Sequence, residues 1–379
     1  MSISQNIKTN RYIRRLKKVG EYIYRWGQMF NPYKVYFPYK TDLIHPVFDE
    51  LKNKPPIKYS NKKDAKLLHL VMGGSKKDLE QKHIVEIIDH AFSIIASYEV
   101  FPREPVEYYN RQEKIKELYL SDKLKKIIFI SNGQRELFKH YFPQKEILEK
   151  SVVIPIPWQD NIAIGKKQKT ESINFLFIAS NYKTKGVNIV LKAWEKFKSI
   201  DTNNSILTLV SHDIPIKVEN ELHESIKLVK QVPLSIELKN KLYKDSDVVL
   251  ALTLTDGITA IEATSYGKPI ITYRTQHSKN FIDNNNGVEI NVPINVYDID
   301  KYGIIWKTKK EFNDIVNEYI SNGAFDDTID KLVATFSQYS QNRKLLEKQT
   351  KNAVEKYYKD YTIENRNKKL LEIYDECRQ

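Results

Sequence analysis

The feature that most restricts how this chain can fold is an alternation of two hydrophobic periods. Downstream of Ser172 it reads as strand Asn174–Ala179, helix Val187–Ile200, strand Ile206–Ser211, helices Glu219–Leu228 and Leu234–Tyr243, strand Asp247–Leu254, helix Thr259–Tyr266 and strand Pro269–Tyr273. The strand runs are almost continuously apolar. That pattern suits strands covered on both faces, as in a parallel sheet, where each strand must be followed by a crossover that is usually helical.

A second alternation lies upstream, with strands at Lys66–Met72, His83–Ile88, Lys126–Ile130 and Ser151–Ile156 and helical stretches at Glu107–Leu118 and Gln134–Phe142. A chain of 379 residues has the length of two ordinary domains. The predicted fold class is therefore α/β, with two Rossmann-like, doubly wound domains facing across a cleft. The polar, lysine-rich segment after Trp158 reads as a linker. The predicted layout is an N-terminal domain over 1–157, a linker over 158–172 and a C-terminal domain over 173–355. A final helix, 356–379, has an apolar face at Leu370, Leu371, Ile373 and Tyr374 and is expected to cross back to the first domain.

Charge and cysteine content narrow the setting. Cys377 is the single cysteine, so the fold does not rest on an intrachain disulfide, and a cytoplasmic location is expected. The sequence has no apolar run long enough for a membrane span and no charged-then-apolar leader. Net charge is +13, and residues 1–40 carry nine basic side chains against the single acid Glu21. There Ile13, Leu16, Val19, Ile23, Trp26 and Phe30 recur at helical spacing, with Tyr22 and Tyr24 beside them. Such a basic amphipathic helix fits either an anionic membrane surface, which would make the protein peripheral on its inner face, or its own domain.

The densest chemical signal is the stretch from Asp247 to Ile271: strand, glycine turn at Gly257, helix, then a second strand after Gly267-Lys268-Pro269. Gly257 permits close approach at the carboxyl end of the strand, and the free N–H groups of Ile258, Thr259 and Ala260 would point at an anion there, such as a diphosphate. Glu262, one turn into the helix, can accept from two adjacent hydroxyls, as a ribose diol offers; a solvated helical glutamate has the same sequence. Gly267 followed by Pro269 fits a helix stop. The eight histidines form no spaced metal set and no P-loop occurs, so neither a metal nor a cofactor is expected.

This stretch resembles the family-four (group 1) retaining glycosyltransferases of the GT-B fold. Glu262-Ala263, Gly267 and Pro269 match their signature in order and spacing, preceded by Tyr243 and Ser246-Asp247-Val248. Phe175–Val187, with Ser180, Lys183, Lys185 and Gly186, looks like the family's strand, basic loop and lysine-glycine helix start. Thr275–Gly287 looks like the loop after the donor site. Two departures stand out. The family's first glutamate falls on Leu254 here, with Asp256 the nearest carboxylate, and its phosphate-loop arginine falls on Ser180, with Lys183 as a shifted cation.

The resemblance implies a nucleotide-sugar-binding C-terminal domain and an acceptor-side N-terminal domain. It implies Glu262 on the ribose and Lys185, Gly186 and the N–H groups near Gly257 on the diphosphate, with Asp256 orienting the sugar. Upstream, Lys126–Ser131 with Glu136, and Val152–Pro155, look like the family's acidic-helix segment and the strand into the linker. The histidine that family members keep at a strand end would be His90, with Tyr98-Glu99 as the rival position.

The implied activity is metal-independent transfer of a sugar from a nucleoside diphosphate to an acceptor hydroxyl, with retention. A saccharide or lipid-linked saccharide acceptor in cell-surface polysaccharide or glycolipid synthesis would fit the basic N-terminus. A nucleotide-sugar epimerase of the same fold is the alternative. A nucleic-acid-binding protein ranks below both, because no ribonucleoprotein or recognition-helix motif occurs, and no nucleic-acid partner is expected.

Overall fold

The computed structural model describes residues 35–36, 65–71, 80–87, 116–166, 172–179, 182, 185–230, 233–253, 258–275, 278–282, 285–294 and 309–378. The chain divides into two compact units: Met1–Ile128 with Gln144–Val152 and Asn367–Gln379, and Phe129–Pro143 with Val153–Arg366. The fold class is α/β with two separate sheets.

The first sheet has the order β1 (Val35–Tyr36), β2 (Leu67–Val71), β3 (His83–Ile87), β4 (Leu124–Phe129), β5 (Ser151–Val153). β1 pairs with β2, and β2 with β3, in parallel. Leu67, Leu68, Leu70, Ile84, Val85, Ile127 and Ile128 are buried, the outcome expected for strands without polar alternation. Two of the polar side chains buried in this core meet each other. His69 on β2 and Glu86 on β3, both fully buried, approach to 3.1 Å, and His69 Nδ1 lies 2.7 Å from the Tyr374 hydroxyl near the C-terminus. Each polar group thereby gains a partner away from water, without which burial would cost several kcal/mol, on the order of 1–3 per group.

The second sheet has six strands: β6 (Asn174–Ile178), β7 (Ile206–Val210), β8 (Ile226–Val229), β9 (Val248–Leu250), β10 (Ile270–Tyr273) and β11 (Gly287–Ile290). Their order across the sheet is β11-β10-β9-β6-β7-β8, and every neighbouring pair is parallel. Numbered from β6, this is the 3-2-1-4-5-6 order of a dinucleotide-binding doubly wound sheet. The chain first winds outward from β6 to β8, then returns to β9 and winds the other way. The reversal falls between β6 and β9, and in such sheets ligands bind outside the carboxyl ends of the strands at that point.

Asp247 secures the opposite, amino-terminal end of the β6/β9 pair. Its N–H donates to Asn174 O at 2.7 Å, and its carboxylate accepts from Asn174 N at 2.8 Å. The aspartate-valine run thus has a structural task, to hold these two strands in register at the reversal.

The helices are α1 (Asn132–Tyr141), α2 (Lys145–Glu149), α3 (Ile162–Gly165), α4 (Val187–Lys198), α5 (Ile216–Asn220), α6 (Ile236–Asp245), α7 (Thr259–Ser265), α8 (Ser278–Phe281), α9 (Lys309–Ser321), α10 (Asp326–Gln341), α11 (Arg343–Lys356) and α12 (Ile363–Arg378), with a π-helical turn at Tyr357–Tyr361. α4 buries Val187, Val190, Ala193, Trp194 and Phe197, a stripe at helical spacing. Against it Phe175 of β6 and Phe336 of α10 meet Trp194 edge-on, at 5.5 and 5.4 Å between ring centres. Ser131 and Ser235 cap α1 and α6 by accepting from the N–H groups of Gln134 and Leu238.

One sequence expectation is corrected here. The helix expected over Glu219–Leu228 is a short helix, α5, followed by strand β8. Ile226 and Leu228 alternate with polar residues and pair with Leu207 and Leu209 of β7, so the sheet edge overrides the local helical pattern. The residues that follow the loop read over Thr275–Gly287 form strand β11, which Gly287 itself opens. Gly287 is required there because a Cβ would lie 2.1 Å from Ile270 O. Within 158–172, residues 162–165 are helical, and Asn161 bonds Ser265 through both its N–H and its side chain. Among the described residues, no helix is long and apolar enough to cross a membrane.

Candidate active site

Three neighbouring strands, β6, β9 and β10, bring the chemistry to one edge of the second sheet. The loop after β6 leads to Lys185 and Gly186 at the start of α4. The loop after β9 leads to α7, and β10 ends in Tyr273. The local sequence explains each placement. Gly186 adopts the left-handed conformation, φ 66°, which turns the chain into α4 at little cost only because the residue lacks a Cβ. Gly267, φ 67°, ends the α7 segment in the same way and leads through Pro269 into β10.

Glu262 sits in the first turn of α7 with its side chain 12% exposed. Its two carboxylate oxygens are held apart by two residues of α6, one turn from each other: the Tyr243 hydroxyl donates to Oε2 at 2.9 Å, and Lys239 Nζ lies 2.8 Å from Oε1. Charge-assisted hydrogen bonds of this kind contribute on the order of 1.5–3 kcal/mol each when shielded from water. The carboxylate is therefore fixed in direction. Each oxygen retains a lone pair, the arrangement needed to accept from two vicinal hydroxyls.

Tyr243 is itself immobilised. Its ring stacks on Tyr266 with centres 4.2 Å apart and planes 6° apart, and the Tyr266 hydroxyl donates to Asn240 Oδ1 at 2.6 Å. Burial first, and the adjacent Glu262 second, push the Tyr243 phenol well above its ordinary pKa, so it remains a donor throughout the accessible pH range. Burial and Glu262 raise Tyr266 in the same direction. These rings belong to the cluster of Leu176, Val249, Ala263 and Ile270, which ties the carboxylate's orientation to the sheet.

Lys185 is half-buried and immediately precedes Gly186, and Ile258 stands at the N-cap of α7 with Thr259 as its first residue. His90, Ser180, Lys183, Asp256 and Gly257, together with Glu99 and Leu254, lie outside the described residues, as does the basic stretch 1–40 except for Val35–Tyr36. Among the described residues, no cluster of His, Cys, Asp or Glu could hold a metal ion.

Sequence reasoning overlooked two members of this neighbourhood. Lys239 was legible only as its spacing from Tyr243, one helical turn on the same face. Tyr273 carried no signal as the last residue of a buried strand.

The sheet order and the fixed carboxylate agree with an independent observation. Residues 172–299 match the sequence profile of the family described as Glycosyl transferases group 1. The matched segment begins just before β6 and contains all the described site residues. No curated protein matches the chain in sequence.

Solved structures share the fold. A glycosyltransferase from Rickettsia africae aligns with a TM-score of 0.56 at 15% identity, covering 91% of this chain and 90% of that one. TarM aligns at 0.52 and 14% identity over 86% of this chain. The pneumococcal O-GlcNAc transferase GtfA, solved with UDP and GlcNAc, aligns at 0.52 and 17% identity over 83%. The chain spans 57% of the length of TarM and 57% of GtfA.

Proposed function

We propose that the protein is a glycosyltransferase that binds a nucleoside-diphosphate sugar at the β6/β9 reversal and transfers the sugar to an acceptor hydroxyl. The observation that carries this reading is the Glu262 carboxylate, held by Tyr243 and Lys239 at the head of α7. In the proposed complex Glu262 accepts from the ribose hydroxyls. Lys185, the backbone at Gly186 and the N–H groups of Ile258 and Thr259 face the diphosphate, the group on which negative charge grows as the glycosidic bond breaks. Ser180, Lys183 and Gly257 complete the donor loops, and Asp256 orients the sugar in place of the carboxylate lost at Leu254.

The reaction proceeds with retention and without a metal ion or cofactor. His90 contacts the donor near the reacting carbon, so His90→Ala lowers kcat more than it raises the donor KM; equal turnover of the two proteins removes His90 from the mechanism. The acceptor is a saccharide or lipid-linked saccharide of cell-surface polysaccharide or glycolipid synthesis. The basic residues 1–40 then bring a cytoplasmic protein to the inner face of an anionic membrane.

The test is a thermal-shift panel of UDP, GDP and ADP with their common sugar conjugates, because a ligand that binds only the folded state raises Tm, and does so more the further its concentration exceeds Kd. One nucleotide series should stabilise the protein strongly. If none does, the proposal fails. An epimerase would convert the stabilising sugar nucleotide with no acceptor present, which separates the two enzyme classes.

A further inference from the structure

Tyr273, the last residue of β10, is a buried phenol that differs from Tyr243 in one respect. Tyr243 donates to Glu262, whereas the Tyr273 oxygen is fully buried with no hydrogen-bond partner among the described residues. An unmatched buried hydroxyl is destabilising, and replacement by phenylalanine would avoid that cost at no change in ring packing. Burial also pushes the phenol upward in pKa, so the group stays protonated.

Its location gives the hydroxyl a use. At Gly186, the residue that opens α4, a Cβ would lie 3.6 Å from the Tyr273 oxygen and 3.3 Å from Ile189 Cδ1. The phenol thus lies beside the N-cap of a helix of 12 residues, and that N-cap residue has no side chain. The start of a helix of this length carries partial positive charge and favours an anion.

We infer that Tyr273 is a donor-binding residue whose hydroxyl donates to a diphosphate oxygen of the nucleotide sugar seated on the first turn of α4. The inference rests on the function proposed above and assigns one further contact to it. Gly186 then serves twice, in turning the chain and in placing no side chain against the hydroxyl.

The experiment compares the wild type with Tyr273→Phe, using whichever of UDP, GDP or ADP stabilises the wild type most in the panel. Two quantities are measured: Tm without nucleotide, and Kd by titration calorimetry. The variant should unfold at the wild-type temperature or above it, and its Kd should rise about tenfold, the effect of losing one hydrogen bond to a charged oxygen. An unchanged Kd overturns the inference while leaving the proposed function standing. So does a lowered Tm, since the hydroxyl would then have a partner within the protein. If the wild type binds none of the three nucleotides, both the inference and the function it rests on fall, and Tyr273→Phe plays no part in that result.

Discussion

Asp201 offers the most quantitative test of how the second unit is held together. It lies in the turn between α4 and β7 with its side chain 1% exposed. Oδ2 accepts from Lys198 Nζ at 2.7 Å and Ser205 N at 2.8 Å, and Oδ1 from Ser340 Oγ at 2.8 Å and Asn203 N at 3.2 Å. Ser340 belongs to α10, so this one carboxylate fastens α4 both to the sheet and to the helix behind it. Burial alone would raise its pKa. The donors, led by Lys198, outweigh burial and lower it from the ordinary 3.8 to about 2.

The sign follows from linkage. A carboxylate whose folded pKa is depressed adds stability above its unfolded value and loses it as the pH falls through the folded one. At about 1.4 kcal/mol per tenfold in acidity, ionised Asp201 contributes about 2 kcal/mol above pH ~4, and this fades towards pH ~2. The perturbation is Asp201→Asn, and the assay is urea unfolding followed by tryptophan fluorescence at a series of pH values. At about pH 6 the variant should be less stable by about 2 kcal/mol or more, and the gap should narrow below pH ~4. A gap of constant size from about pH 6 to pH 2 would refute the reasoning, since the loss would then owe nothing to the charge.

Two further outcomes are expected. Glu262→Gln keeps the shape but puts an amide against Lys239 and Tyr243, so nucleotide affinity should fall by about tenfold or more with little change in the secondary structure seen by circular dichroism; wild-type affinity would exclude Glu262 from the donor site. Gly287→Ala forces a Cβ to 2.1 Å from Ile270 O, and relief by parting β10 from β11 should lower stability by about 1–3 kcal/mol in urea unfolding, whereas an unchanged midpoint would mean the strands can part freely.

The alternation of periods made β6, β7, β9, β10 and their helices legible to within a few residues, because buried parallel strands must be continuously apolar and helices between them must be amphipathic. β8 was misread because a short strand at the edge of the sheet has a local pattern that also fits a helix; its identity comes from hydrogen bonds to β7. His69 and Glu86 looked like ordinary strand residues. Only the parallel register, Leu70 beside Val85, puts them within reach of each other.

The site divides in the same way. Sequence by itself determined the turn-forming glycines 186 and 267, the Glu262-Ala263 helix and the family to which residues 172–299 are matched, since backbone conformation and short-range spacing are written in neighbouring residues. Tertiary structure decided which groups meet. Lys239 and Tyr243 reach Glu262 because α6 packs near α7, and Tyr273 reaches Gly186 because β10 and β6 flank β9. Such encounters depend on the order in which distant strands are laid side by side, and no local sequence pattern encodes that order.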